Sequence, residues 1–311
     1  MAEQLSILGL WERVPEAERV PEPPAPPPAP PPPVDPRQVD LLSGAQVQRS
    51  RLEDACATLD GSGLRAAHAE LNRRFLAQGW AARAPDWADS LDAFNAAPTP
   101  EAMGQRALDL LEPARSLPDA PRTIVRAVQS AATTRAAQAL IAAKGPAARL
   151  GDGRPAAVLP LLAGDAAHAQ ALLREACDAH DDAQWCVLWA QAADQAGDAG
   201  GGARAWCRAC VLDPAVLDAA QVDGEIVLAL LDEADELELP EPMGLWLPVL
   251  ADLHGVVLLE DVALRSTNPA VVALRRYRVH RRELDEAARI AAKRELSRLL
   301  PAGLRGRLRA L

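Results

Sequence analysis

Apolar residues recur along most of this chain at the three- to four-residue spacing of amphipathic helices. This pattern predicts helices over residues 66–78, 122–144, 222–238, 245–259 and 268–300. Residues 255–259 have an alternative interpretation as a short strand. Aromatic residues make up only 3% of the chain. This is too few for an all-β protein, because strands favour aromatic and β-branched residues. We therefore predict an all-α fold.

Proline, glycine and capping residues predict where the helices begin and end. Thr99 precedes Pro100, which predicts an N-cap followed by the first helical residue. The tetrapeptide Asp-Gly-Ser-Gly at 60–63 predicts a turn between two helices. Gly145 predicts the end of the helix over 122–144.

The same breaks divide the chain into four segments. We predict a disordered Pro-rich arm over 1–40, an N-terminal helical region over 41–146, helical hairpins over 147–215 and a C-terminal helical region over 216–311. In the second segment an aromatic residue recurs every seven positions, at Trp80, Trp87 and Phe94. This spacing predicts that the three rings pack in a core, on one helical face or at the joints around it.

The N-terminal arm combines a proline tract with a short apolar motif. Residues 21–36 contain eleven prolines in sixteen positions. They predict an extended polyproline II spacer or, alternatively, a ligand for an aromatic-lined groove. The motif before the tract is a candidate tethered partner-binding element, with the residues Leu5, Leu8, Leu10 and Trp11. Its alternative is an unstructured terminus with Trp11 loosely on the surface.

A pattern of small residues and turns recurs after about 33 residues between positions 149 and 214. The first copy contains Gly164, Asp165, Ala169, Leu173 and Ala176. The second copy is fuller and contains Ala190, Gly197, Asp198, Trp206, Ala209 and Pro214. A Gly-Asp turn between two helices that carry small residues where they cross is typical of a helical hairpin.

These positions resemble the tetratricopeptide repeat family over about 65 residues. The second copy departs from the family at Ala193, where an aromatic residue is usual, and at Gly202, where alanine is usual. The resemblance implies an array of stacked helical hairpins, a solenoid whose concave surface holds a partner's helix or peptide. It assigns packing roles to Ala190, Gly197, Trp206, Ala209 and Pro214.

The net charge of −10 is distributed unevenly along the chain. Residues 261–311 contain thirteen Lys or Arg and five Asp or Glu, which leaves about +8 there and about −18 in the rest. We expect this Arg-rich segment to dock on the protein's own acidic part. The alternative is a nucleic-acid surface with Tyr277 stacked on a base, formed by Arg275, Arg276, Arg278, Arg281 and Arg282.

Five cysteines without an export signal predict a reduced, cytoplasmic protein. The pairs Cys177-x-x-His180 and Cys207-x-x-Cys210 have the spacing of zinc ligands. However, Cys207 and Cys210 lie three residues apart within a predicted helix, where thiols commonly pack as small apolar groups. A redox pair is a third interpretation. We favour packed thiols and expect no metal and no cofactor.

The sequence carries no recognisable catalytic motif. Gly-x-Ser-x-Gly and His-Glu-x-x-His are absent, and the glycine-rich residues 197–202 lack the Lys-Ser/Thr of a phosphate loop. No run of about 18 apolar residues predicts a membrane span. We therefore expect a non-enzymatic protein–protein interaction scaffold, an adaptor subunit of a larger assembly. The alternative is a nucleic-acid-associated accessory protein. The preference for Arg over Lys is typical of GC-rich genomes and suggests a bacterial source.

Overall fold

The computed structural model describes residues 36–259, 266, 268–282 and 286–308. These residues form an all-α structure without a β-strand; one isolated β-bridge joins Arg149 and Pro155. The helices are α1 (Pro36–Ala57), α2 (Gly61–Phe75), α3 (Ala84–Asn95), α4 (Pro100–Leu110), α5 (Pro113–Ser116), α6 (Arg122–Lys144), α7 (Leu159–Leu162), α8 (Ala166–Ala179), α9 (Ala183–Gln195), α10 (Ala199–Leu212), α11 (Glu225–Glu236), α12 (Leu247–Leu253), α13 (Pro269–Arg282), α14 (Glu286–Leu299) and α15 (Ala302–Leu308).

Helices α1 to α6 enclose the first of two hydrophobic cores. Trp87 and Phe94 of α3 are buried in it, as their seven-residue spacing predicts. Trp80 stacks on Trp87 with ring centroids 5.9 Å apart. The Trp87 indole N–H donates to the Pro118 carbonyl oxygen at 3.0 Å, so the buried indole keeps a hydrogen-bond partner.

The second core is enclosed by α8 to α15, with Trp206 of α10 fully buried in it. Ile141 of α6 and Leu172 of α8 pack against both cores. The cores therefore meet along the line where α6, α7 and α8 adjoin. Most of the stability of such an arrangement comes from burying the apolar faces of helices that are individually short.

Several predicted helix boundaries are confirmed. Helix α6 covers Arg122–Lys144 and ends at Gly145, whose φ of +86° suits glycine. Thr99 caps α4 by accepting a hydrogen bond from the Ala102 N–H at 3.2 Å, and Pro100 is the first helical residue. Local chemistry determines these helix ends, which explains why they are visible in the sequence.

The predicted single helix over 268–300 is wrong, because these residues form two helices packed against each other. Arg276 of α13 and Glu295 of α14 form an ion pair of 3.4 Å, and the Lys293 ammonium lies 5.8 Å from the Tyr277 ring. In a continuous helix, positions 276 and 295 would be about 28 Å apart. The sequence between the helices, 283–285, contains neither glycine nor proline, so it gives no signal of a break.

Three other boundaries differ from prediction. Asp60 caps α2 through the Gly63 N–H, so residues 61–63 open the helix instead of forming a turn before it. Helix α12 is only seven residues long and ends before Gly255, which has a φ of +68°. Residues 255–259 form no strand. Helix α1 begins at Pro36, so the last residues assigned to the arm are helical.

Candidate partner-binding groove

Both Gly-Asp turns of the predicted repeat have the same structure. Gly164 and Gly197 have φ values of +77° and +79°, in the left-handed region that favours glycine. The following aspartates, Asp165 and Asp198, cap α8 and α10 by accepting N–H bonds from residues three positions later. The 33-residue recurrence therefore corresponds to a repeated turn, in which a left-handed glycine is followed by an aspartate N-cap.

Each capping aspartate also links its helix to an earlier one. Asp165 accepts a hydrogen bond from the Ser130 hydroxyl of α6, and Asp198 accepts one from the Gln170 amide of α8. Partial burial raises the pKa of Asp165, but the bonds from Ser130 and His168 outweigh it and hold the pKa below its ordinary value. Asp165 therefore remains a carboxylate at neutral pH and accepts these bonds as an anion.

Three of the five predicted packing residues are buried, whereas Gly197 is an exposed turn residue with no neighbouring atom within 4 Å of its Cβ position. Ala190 of α9 and Trp206 and Ala209 of α10 are fully buried between the two helices and their neighbours. Pro214 starts a short 3₁₀ turn directly after α10 and is only partly buried. The α9–α10 hairpin is thus a well-packed unit with a defined end.

A groove of about 500 Å³ lies beside this hairpin. Its walls come from three parts of the chain: the loop over 149–155, the N-terminal two thirds of α9, and the short turn at Ala219–Gln221. Its lining residues are Arg149, Asp152, Gly153, Arg154, Pro155, Asp182, Gln184, Trp185, Val187, Leu188, Gln191 and Gln221.

The groove lining includes a cation, Arg149, that is held by several contacts. The Arg149 guanidinium lies 4.6 Å from the Trp185 ring centroid and donates to Gly153 O at 3.2 Å. Its Nη2 atom also lies 2.9 Å from His180 Nε2 and 4.0 Å from Asp182 Oδ2. Since arginine can only donate, His180 Nε2 must be the acceptor. The guanidinium is held in position, yet 46% of the Arg149 side chain remains exposed.

Three carboxamides line the groove, those of Gln184, Gln191 and Gln221. Gln184 and Gln191 are seven residues apart on α9 and therefore share one helical face. Gln191 Nε2 donates to the side-chain oxygen Oε1 of Gln221, on the opposite turn, at 3.5 Å. Each carboxamide offers both a donor and an acceptor, which is the pattern that an extended peptide backbone needs.

The groove residues were not predicted as a site. The sequence signal for them is the recurrence of glutamine at 184, 191 and 195, on one face of the helix that the repeat pattern predicts. Arg149 and Gln221 carry no such signal. They reach the groove only because the chain folds back from either side of the hairpin.

The candidate metal ligands are not brought together. Cys177, Cys207 and Cys210 are fully buried, whereas His180 lies at the surface against Trp185. Burial raises the pKa of Cys207 to about 12 and raises that of Cys210 as well. Contact with Cys186, together with burial, raises the pKa of Cys177. Among the described residues, no three His, Cys, Asp or Glu side chains converge as metal ligands.

Two arginines of the predicted basic patch form ion pairs within the chain. Arg278 donates to buried Asp252 at 3.0 Å, and Arg276 pairs with Glu295. Tyr277 is buried, so it cannot stack on a base as the nucleic-acid interpretation requires. Arg275 is half-buried, and Arg281 and Arg282 are exposed. The expected docking of this segment on acidic residues is therefore seen at Asp252.

The arm residues Leu5, Leu8, Leu10 and Trp11 lie outside the described residues. Within residues 36–259, 268–282 and 286–308, no helix combines the length and apolar character needed to cross a bilayer. Comparison of the chain with models of protein families, with curated proteins and with solved structures finds no match.

Proposed function

We propose that this chain is a non-catalytic interaction scaffold, an adaptor subunit that holds an extended segment of a partner protein in the groove beside α9. The observation that carries the proposal is the groove itself. Its volume of about 500 Å³ suits a short peptide, and its lining combines carboxamides with one fixed guanidinium. The resemblance to tetratricopeptide repeats supports the same class of function.

The groove chemistry supports a peptide ligand in a specific orientation. We expect Gln184, Gln191 and Gln221 to exchange hydrogen bonds with peptide groups of an extended chain. Gln184 and Gln191 are about 10 Å apart along α9, a distance that about three residues of such a chain span. We expect Arg149 to pair with a carboxylate or a carbonyl oxygen of the partner. Because its contacts with Trp185 and His180 already fix the guanidinium, binding loses little side-chain entropy there.

The N-terminal arm adds a second contact to this proposal. The apolar motif with Leu5, Leu8, Leu10 and Trp11 would bind a separate site on the partner assembly. The proline tract over 21–36 would act as its spacer. Two tethered contacts raise the effective concentration of each, so modest individual affinities suffice.

Selection from a displayed peptide library tests the groove. The full chain is the target, and the affinity of each selected peptide is measured by calorimetry with the wild type and with Gln191→Ala. Loss of one or two hydrogen bonds, each about 0.5–1.5 kcal/mol, predicts a dissociation constant that is higher by about twofold to about 150-fold. The matched control is Gln195→Ala, which removes an exposed glutamine of the same helix that does not line the groove.

Equal affinity of the wild type and Gln191→Ala for every selected peptide would refute the groove as the binding site. The alternative function, nucleic-acid association through the Arg-rich segment, makes a different prediction. Binding would then weaken steeply with salt and would be lost on joint replacement of the exposed Arg281 and Arg282.

A further inference from the structure

Helix α11 presents an acidic face with an apolar centre to the solvent. Glu225, Leu228, Asp232 and Glu236 follow each other at three- and four-residue steps, and all are exposed. Leu228 is 38% exposed. Ala229 completes this stripe, which is about 16 Å long.

The stretch of sequence that contains α11 is strongly acidic. No Lys or Arg occurs between Arg208 and Arg265, whereas thirteen Asp or Glu occur in that interval. Arg307 pairs with Glu233, which lies on a neighbouring, mostly buried side of the helix. The outward stripe itself contains three exposed carboxylates with an exposed leucine among them.

Helix α14 presents the opposite pattern. Its solvent-facing stripe consists of Ala287, Ile290, Ala291, Arg294 and Arg298, all of them exposed. Ile290 is 43% exposed. The opposite side of α14 faces α13 through buried residues. The stripe is thus cationic towards its C-terminal end and apolar towards its N-terminal end.

The two stripes match residue by residue when the helices are aligned in parallel. Leu228 then lies opposite Ile290, and Ala229 opposite Ala291, so that small residues permit close approach. Asp232 lies opposite Arg294, and Glu236 opposite Arg298. Glu225 meets neutral Ala287. Every facing pair is therefore apolar, of opposite charge, or charged against neutral.

We infer that α11 of one molecule binds α14 of a second copy of this chain. The argument rests on charge complementarity and on the matching exposed aliphatic residues at the same register. It is independent of whether the groove beside α9 binds a peptide. The two faces differ, so the contact is heterologous and repeats from molecule to molecule into a ring or an open array.

The size of the stripes sets the strength of the association. Two helical stripes of this length bury less than the roughly 1,200–2,000 Å² typical of stable specific complexes. The association is therefore weak and depends on concentration. Exposed ion pairs are screened in salt, with a Debye length of about 3 Å at 1 M, so high salt dissociates the assembly.

Sedimentation velocity of the full chain, over a range of concentrations at low and high salt, measures this directly. We expect the wild type to form larger species as concentration rises at low salt and to be monomeric at high salt. One variant, Asp232→Arg with Glu236→Arg, has two cationic faces. The other, Arg294→Glu with Arg298→Glu, has two anionic faces. Each alone is expected to be monomeric.

An equimolar mixture of the two variants distinguishes this contact from a loss of folding. Each variant supplies the face that the other lacks, so the mixture is expected to associate at low salt although neither variant does so alone. All four replaced side chains are exposed, which leaves the cores intact. A wild type that stays monomeric at low salt, or a mixture that does not associate, would overturn the inference.

Discussion

At the scale of single residues, the Asp194 carboxylate explains why positions 202 and 224 are glycines. A Cβ atom at position 202 would overlap Asp194 Oδ1, and one at position 224 would lie 2.6 Å from the same oxygen. Burial raises the pKa of Asp194 above its ordinary value, against the opposing effect of the Trp206 indole, and the charge of Asp223 raises it further. Gly202 and Gly224 therefore make room for a half-buried carboxylate.

This explanation predicts that the effect of Gly202→Ala depends on Asp194. In the wild type the added methyl meets the carboxylate, so we expect a loss of about 1–3 kcal/mol of unfolding free energy. In an Asp194→Ala background the same change stabilises by up to about 1 kcal/mol, because alanine is the better helix former. Urea unfolding of the wild type, the two single variants and the double variant measures the coupling free energy between positions 194 and 202.

Gly200→Ala is the matched control for this cycle. It lies in the same helix, and a Cβ there would meet only an ordinary contact with Asp198 at 3.8 Å. Its effect should be the same in both backgrounds. If Gly202→Ala also had the same effect in both, the carboxylate would not be the reason for glycine at 202.

A second residue-scale prediction concerns the ion pair that ties α13 to α12. Asp252 is 1% exposed; it accepts from Arg278 Nε at 3.0 Å and from the Leu259 N–H at 3.2 Å. Asp252→Ala leaves the Arg278 cation partly buried without its carboxylate, and we expect unfolding to become easier by about 3–5 kcal/mol.

Thermal or urea unfolding checks this value against a second ion pair on the same helix. Arg276 and Glu295 are both at least half exposed, and surface pairs contribute little. Glu295→Ala should therefore change stability by less than about 1 kcal/mol. If Asp252→Ala and Glu295→Ala lowered the free energy of unfolding by similar amounts, the buried Asp252–Arg278 pair would not stabilise the fold more than a surface pair does.

At the scale of helices, the capping aspartate of α8, Asp165, couples stability to pH. The pKa of Asp165 in the folded protein is below its ordinary value of 3.8. The ionised carboxylate therefore stabilises the fold at pH values above 3.8. This contribution is lost as the pH falls through the lower pKa of the folded state. We expect the wild type to exceed Asp165→Asn by about 1 kcal/mol at pH 7, and the difference to vanish at the lowest pH values.

Urea unfolding of both chains at a series of pH values measures this difference. Asparagine retains a capping oxygen for the His168 N–H but lacks the charge that strengthens the bond from Ser130. The comparison therefore isolates the ionic part of the cap. A difference that stays constant down to acidic pH would show that the charge of Asp165 has no role.

The sequence predicts helix ends correctly where nearby residues mark them. It does not predict a helix end that is fixed only by packing between helices. Helix α6 was correct at both ends because Pro121 and Gly145 flank it. The break between α13 and α14 was missed because the amphipathic pattern continues through 283–285. Only the packing of the two helices against each other, through pairs such as Arg276 and Glu295, fixes that break.

At the scale of the whole molecule, the two cores follow from the sequence more readily than the groove does. Apolar periodicity identifies the faces that must be buried, so an all-α structure was predictable. The groove brings together the loop at 149–155, helix α9 and the turn at Ala219–Gln221. These segments are separated by up to about 70 residues, and their meeting depends on how the helices stack.

The indole N–H resonance of Trp185 provides the most direct test of the groove as a partner-binding site. This ring lines the groove under the Arg149 guanidinium, whereas Trp87 lies in the separate first core. In a ¹⁵N-labelled sample titrated with a selected peptide, we expect the Trp185 indole signal to shift with saturation while that of Trp87 stays in place. A saturating peptide that leaves the Trp185 signal unchanged would contradict the proposed function.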